Sequence, residues 1–188
     1  MARRLPALAV VCLCACGRDP VAPPSVATVF GSIGGVPFGA ANAIATNDVD
    51  FPANLIVTIG NFDIACADLS HFISGKLIDL VVGDVEGCPG SCTILPVPAG
   101  TYSIINVARG TKNGPQASVD YSATDAQCRS VGDFSADLGG TVTLTKAGHG
   151  IGEEVQGSFD VVIDGNHLVG TFQTAVCAVP TSVSHVCR

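Results

Sequence analysis

Six cysteines beyond the first twenty residues are the side chains whose type and number most clearly indicate chemistry. They are Cys66, Cys88, Cys92, Cys128, Cys177 and Cys187. An even number of cysteines favours disulfide bonds if the chain works in an oxidising compartment. Cys88 and Cys92 flank a Pro-Gly turn and could bond to each other, which would leave the other four to form two longer links. Their spacing is also near that of zinc knuckles, but no second close pair completes a ligand set, so we expect disulfides and no metal.

Four histidines are the next residues that could do acid–base chemistry: His71, His149, His167 and His185. His149 and His167 fall in predicted turns, where we expect them to be exposed. Asp68, Ser70 and His71 have the residue types of a Ser-His-Asp triad. Three close neighbours in one short segment rarely reach triad geometry, however, so the sequence does not favour a catalytic site there.

Loops supply the remaining candidate binding residues. Residues 31–35 and 148–152 are rich in glycine, but neither segment precedes a predicted helix, so we interpret both as turns rather than phosphate cradles. Asn47-Asp48-Val49-Asp50 offers the oxygen ligands that calcium prefers, but it lacks the distal glutamate of an EF-hand loop, and a solvated loop is the simpler interpretation. The chain contains no nucleophile-elbow, zinc-protease or P-loop motif. We therefore expect no enzymatic activity and no cofactor.

The first sixteen residues have the layout of an export signal. Two arginines precede an apolar run, residues 5–15, which is shorter than the ~20 residues needed to span a bilayer. The run ends in Leu13-Cys14-Ala15-Cys16, which resembles the lipobox of bacterial lipoproteins, with Cys14 in place of the alanine, serine, threonine or valine usual there. The resemblance implies a diacylglyceryl group on the Cys16 thiol and removal of residues 1–15 as a signal peptide.

The segment after the cleavage site has the composition of a spacer. Residues 16–26 contain Pro20, Pro23 and Pro24, and proline cannot join a helix interior or a central strand. We therefore predict a lipidated cysteine followed by an extended, proline-rich tether. Residues 27–188 would then form one β domain, which is long enough to bury a sizeable core.

The charge of the chain excludes one class of partner. The sequence carries 9 basic and 16 acidic residues, for a net charge of −7. Loss of Arg3 and Arg4 with the signal would leave seven basic residues against sixteen acidic ones, a net charge of −9. An acidic domain is not attracted to nucleic-acid phosphates or to anionic headgroups. We expect no nucleic-acid partner, and we expect the membrane to be reached through the lipid on Cys16.

Apolar residues recur at every second position through most of the domain, which predicts strands with one buried face. The clearest alternating segments are 55–59, 78–82, 118–123, 141–145 and 158–164. They indicate an all-β fold, a single antiparallel β-sandwich or barrel-like domain with short hairpins.

Turn residues divide these runs into hairpins. Asp164-Gly165-Asn166 separates residues 155–164 from 167–177 and suits a tight hairpin turn. Gly34-Gly35 likewise separates residues 28–33 from 36–45. We expect at most one short helical turn, within residues 62–69 around Cys66, because the alternation is lost there.

The order of several short motifs resembles that of uncharacterised all-β bacterial envelope lipoproteins. Gly-Gly-Val-Pro-Phe occupies 34–38, Pro-Ala-Gly-Thr-Tyr occupies 98–102 and Val-Gln-Gly-Ser-Phe-Asp occupies 155–160; Leu-Val-Gly-Thr-Phe then occupies 168–172, ahead of Cys177. The resemblance spans most of the predicted domain and implies a β fold, without implying an activity.

These features lead us to expect a non-enzymatic, lipid-anchored structural or interaction module of the cell envelope with an envelope protein as its partner. It would be extracytoplasmic, with the outer membrane favoured over the inner. A small-ligand carrier with a cavity in the β domain and a hydrolase with an unrecognised site stay open as alternatives. Sugar binding is not indicated, because the chain has no Trp and its 8 Phe mostly fall at predicted core positions.

Overall fold

We analysed a computed structural model of the chain, which describes residues 25–39, 42–47, 53–66, 71–72, 74–87, 93–105, 113–127, 129–134, 138–178 and 184–187. This part is nearly all β-structure without a helix, which confirms the predicted fold class. Of the segment 62–69, where the sequence allows one helical turn, residues 62–65 are irregular, Cys66 has a 3₁₀ backbone, and residues 67–69 lie outside the described residues. The described part also contains no helix with the length and apolar content that crossing a membrane would require.

Fourteen strands form within the described residues. They are β1 (Val26–Ile33), β2 (Val36–Pro37), β3 (Asn42–Asn47), β4 (Leu55–Gly60), β5 (His71–Phe72), β6 (Gly75–Glu86), β7 (Thr93–Leu95), β8 (Gly100–Ile104), β9 (Gly114–Thr124), β10 (Ser130–Phe134), β11 (Leu138–Ala147), β12 (Glu154–Ile163), β13 (Asn166–Ala175) and β14 (Ser184–Cys187). The alternating runs of the sequence fall inside these strands, except that the run 158–164 ends one residue beyond β12, in its turn.

Twelve of the strands make one curled sheet. The order is β2-β1-β13-β12-β11-β8-β9-β6-β4-β3, with β10 added beside β9 and β7 beside β6. Neighbours on this path are antiparallel except β8 and β9. The two ends of the path approach each other where Val176 bridges to Ala45 of β3, and the Cys177 N–H donates to the Ala45 carbonyl over 2.7 Å. The sheet is therefore an open half-barrel.

One cluster of apolar side chains occupies the inner face of the curled sheet. Nine of the strands contribute to it, namely β1, β3, β4, β6, β8, β9, β11, β12 and β13, together with Phe38, Val97 and Val176. Each fully buried Val, Leu, Ile or Phe contributes about 1.5–3 kcal/mol relative to an exposed one. This cluster is the main source of stability, and it fixes which face of each strand points to solvent.

The hairpin between β12 and β13 has the predicted form. Ile163 pairs with Asn166, so Asp164 and Gly165 make a two-residue turn. Both turn residues have positive φ, 48° and 75°, as a type I′ turn requires. The hairpin places two long strands side by side in the middle of the sheet's most regular region.

The first hairpin differs from its prediction. Val36 and Pro37 continue from the Gly34-Gly35 turn, but β2 ends there and does not run on to residue 45. Pro37 has no N–H for a longer ladder, and Gly39 takes a φ of 63°. Phe38 leaves the strand and packs edge-on against Tyr121 in the core. β3 consequently lies at the opposite end of the strand order.

Candidate functional site

The predicted lipid and disulfide residues fall into two groups. Cys16, Cys88, Cys92 and Cys128 lie outside the described residues, and Cys187 lies in β14, opposite Phe72 of β5. Cys66 and Cys177 form a disulfide with their Cα atoms 5.5 Å apart and a sequence separation of 111. This bond is a long link between two of the four cysteines expected to form such links.

The Cys66–Cys177 disulfide holds a short segment against the outer face of β3. Ile44, Ile64 and Cys177 are buried together there. The Asn42 side-chain amide donates to the Asp63 carboxylate over 2.9 Å and to the Ile64 carbonyl over 3.1 Å. The disulfide and its surroundings therefore have a structural role, since they tie residues 61–66 to the chain that follows β13.

His149 lies in the turn between β11 and β12, where its contacts organise the backbone. Its Nε2 lies 2.8 Å from the Val97 carbonyl oxygen. The Glu153 carboxylate accepts the backbone N–H groups of His149 and Gly150, each over 2.9 Å. These two hydrogen bonds, of which the one from Gly150 has the larger effect, hold the pKa of Glu153 below its ordinary value. His149 therefore lies in the predicted turn, but it is partly buried rather than exposed, and its ring contacts a backbone carbonyl rather than a nucleophilic hydroxyl.

The pair His167 and Asp160 joins β13 to β12 on the outer face. The His167 Nε2 lies 2.7 Å from an Asp160 carboxylate oxygen, and both side chains are well exposed. An exposed pair of this kind contributes little to stability, about 0–1 kcal/mol. His71 and His185 lie in the two-stranded sheet of β5 and β14, which is separate from the twelve-stranded sheet.

Two carboxylates face each other on a different part of the outer surface. Asp79 of β6 pairs in register with Asp120 of β9, and the Thr58 hydroxyl donates to Asp79 over 2.5 Å. Burial raises the pKa of Asp79, the Thr58 hydrogen bond opposes this rise, and the Asp120 charge adds to it. The pair is too small for a metal site, and no group of three His, Cys, Asp or Glu side chains comes together within the described residues.

The segment Asn47-Asp48-Val49-Asp50, which offers oxygen ligands but is interpreted as a solvated loop, is only partly described. Asn47 ends β3, and its side-chain amide donates to the His149 carbonyl over 2.9 Å. Asp48 and Asp50 lie outside the described residues. Asn47 therefore contacts the β11–β12 turn, and the interpretation of this segment as a solvated loop rather than a calcium site stays a prediction.

A row of hydroxyl side chains crosses the outer face of the sheet. Five directly paired residues on five neighbouring strands make up this hydroxyl row: Thr28, Thr171, Ser158, Thr143 and Thr101. Thr28 and Thr171 share a hydrogen bond of 2.8 Å, and Thr101 and Thr143 share one of 3.0 Å. Neighbouring strands lie about 4.7–4.9 Å apart, so the row repeats at that interval.

Three members of the hydroxyl row, Thr28, Thr171 and Ser158, line a shallow surface groove of about 380 Å³. The groove crosses β1, β13, β12 and β11, and we call it the outer groove. Six polar side chains line it together with Val26, Ala27, Gly157 and Phe172; the polar ones are Thr28, Thr145, Gln156, Ser158, Thr171 and Gln173. Thr145 joins this lining because a bulge between Leu144 and Lys146 leaves it without a partner in the β11–β12 register, pointing outward.

An aromatic ring stands beside the outer groove. Phe30 of β1 is 69% exposed, although most phenylalanines of this chain were expected to be buried. It pairs with Val169 of β13 and lies two residues beyond Thr28, on the same face of the strand. The exposure of Phe30 could have been predicted from its position in the alternation of β1, because Ile33 is buried and Phe30, three residues earlier, points to the opposite face.

The sequence matches no protein-family model, and no curated protein or solved structure matches the chain. Function is therefore argued from the residues of the chain itself.

Proposed function

We propose that this protein is a lipid-anchored, extracytoplasmic β domain that works without catalysis as an interaction module of the cell envelope. The lipobox-like Leu13-Cys14-Ala15-Cys16 supports the anchor. The Cys66–Cys177 disulfide supports an oxidising compartment. The proline-rich tether before β1 would hold the domain away from the membrane and leave its outer face accessible, with the outer membrane preferred to the inner.

The observation that carries the proposal is the contrast between the two faces of the sheet. The inner face is occupied by one apolar cluster that includes large side chains such as Tyr102, Leu144 and Leu168. The outer face carries the outer groove and the exposed Phe30. A partner that binds at such a surface needs no entry into the fold, whereas a carrier cavity would need room among the packed side chains.

The anchor is tested by replacing its cysteine. In cells fed an alkyne analogue of palmitate, we expect Cys16→Ala to abolish labelling and to release the protein from the membrane fraction. Cys14→Ala is the matched control, because it removes the neighbouring thiol and should leave labelling and membrane retention unchanged. Persistent labelling of Cys16→Ala would contradict the lipid anchor.

The interaction surface is tested separately from the anchor. The full chain is used to retain components of an extracellular envelope fraction, and a double variant, Gln156→Lys with Ser158→Lys, places two charges in the outer groove. We expect the double variant to lose the retained component, while Ser130→Lys on exposed β10 keeps it. Equal retention by both variants would show that the outer groove is not the interaction surface.

A further inference from the structure

We propose that the outer groove binds an uncharged glycan chain that lies across β1, β13, β12 and β11. This inference rests on the proposed interaction module and names the class of its ligand. It assigns the ligand to the outer face of the half-barrel, where hydroxyl and amide side chains are presented on rigid strands rather than on loops.

The chemistry of the lining favours sugars. Four hydroxyls and two amides line the outer groove, and none of these six side chains is charged. A hydroxyl both donates and accepts hydrogen bonds, and an amide offers two donors and an acceptor. Sugar hydroxyls have the same double capacity, so each can pair with such a side chain whichever way its own proton points.

The charged groups at the borders of the groove are already paired. The Lys146 ammonium lies 2.5 Å from the Glu154 carboxylate, and the Gln173 amide donates to the other Glu154 oxygen over 2.9 Å. At the opposite border, the Asp160 carboxylate lies 2.7 Å from the His167 Nε2. Among the described residues at its borders, the groove therefore has no unpaired cation to attract an anionic polymer, and the net charge of −7 repels one.

The direction of the groove and the regular spacing of its hydroxyl groups favour a glycan chain over a peptide. A peptide that extends a sheet lies along an edge strand and bonds to its backbone, whereas the outer groove runs across four strands. The three hydroxyl-row side chains that line the groove, Thr28, Thr171 and Ser158, are about 4.7–4.9 Å apart, so the groove offers equivalent groups over roughly 10 Å. A chain of identical sugar units can use such a repeat at successive positions.

Phe30 supplies the apolar part of the site. Its ring is 69% exposed and lies about 7 Å from Thr28 along β1, at one side of the groove. Sugars have an apolar C–H face that packs on aromatic rings, and aromatic side chains bring large contact area. Phe30 would thus bind the ring face of one sugar while the hydroxyl row binds the edges of others.

The test measures binding of fluorescent tetrasaccharides to the detergent-solubilised full chain by anisotropy. The probes are cellotetraose, maltotetraose, the N-acetylglucosamine tetramer and, as a charged comparison, tetragalacturonate. We expect at least one neutral probe to bind, and we expect Phe30→Ala and Thr171→Val each to weaken it about tenfold or more. Thr171→Val keeps the side-chain shape and removes only the hydroxyl.

The controls are Val131→Ala and Ser130→Ala, exposed side chains of β10 that should leave binding unchanged. The inference is overturned if no neutral probe binds, if tetragalacturonate binds best, or if Phe30→Ala and Thr171→Val bind like the unaltered chain. If those results occur while the lysine double variant still loses an envelope protein, the glycan is wrong and the interaction module stands. If no neutral probe binds and the lysine double variant also retains the envelope component as well as the unaltered chain does, the proposed function fails too.

Discussion

Asp79 and Asp120 face each other across β6 and β9, an arrangement that costs stability whenever both are ionised. Directly opposed like charges on neighbouring strands destabilise a sheet, and burial adds to the cost of charging Asp79. The Thr58 hydroxyl offsets part of that cost. The residue therefore makes the stability of the domain depend on pH.

Asp79→Asn should separate this effect from the rest of the fold. Because the pKa of Asp79 is raised in the folded protein, the folded state keeps its proton to higher pH than the unfolded chain, and the free energy of unfolding falls as pH rises through that pKa. The variant cannot ionise, so we expect it to exceed the unaltered chain by up to about 1 kcal/mol near pH 8 and not near pH 3.

Urea unfolding at several pH values checks the Asp79 prediction. Glu86→Gln is the control, because Glu86 is exposed at the end of the same strand. A stability difference between Asp79→Asn and the unaltered chain that stays the same at every pH would contradict the prediction.

At the same scale, Phe30 illustrates what a single residue type conceals. Phenylalanine is usually counted as a core residue, and Phe38, Phe159 and Phe172 are indeed buried. Phe30 is exposed because β1 presents its other face to the core through Ala27 and Val29. The alternation along β1 already placed Phe30 on the solvent face, but the expectation of burial rested on the residue type instead.

The disulfide acts at the level of elements. Cys66 ends the irregular segment that follows β4, and Cys177 follows β13. The bond therefore joins two regions near the opposite ends of the strand order, where β3 approaches the end of β13. It strengthens the place where the curled sheet comes closest to closing.

Removing this link should be costly. We expect Cys66→Ala with Cys177→Ala to lower the free energy of unfolding by about 2–5 kcal/mol, because a loop of 111 residues loses much chain entropy when it is cross-linked in the unfolded state. Denaturant unfolding measures the change. Ile64→Val, which trims the same small cluster, should cost only about 1 kcal/mol; a similar loss in both variants would show that packing, not the cross-link, stabilises this region.

At the scale of the whole molecule, the six cysteines of the predicted domain are expected to be oxidised. Titration of the unfolded, unreduced mature protein should find almost no free thiols, because the number is even and the expected compartment is oxidising. The same sample after reduction is the control and should show the full set. Four or more reactive thiols before reduction would contradict this expectation.

The sequence by itself determined the longer, alternating strands and several of the turns, but not the short strands β5, β7, β10 and β14. Period-two alternation in segments such as 55–59 and 158–164 assigns a buried face to each strand, because successive side chains point to opposite sides. Asp164-Gly165 likewise defined its hairpin, since few other residues accept positive φ at both positions. These are local properties that neighbouring residues decide.

Only the tertiary structure decided which strands that are distant in sequence lie side by side. Thr28, Thr101 and Ser158 are far apart in sequence, and their common row depends on the pairing of β1, β13, β12, β11 and β8. Pairing between distant strands is set by the packing of the whole inner face, which no local pattern contains. The outer groove, and the site that we propose there, therefore became visible only in the folded sheet.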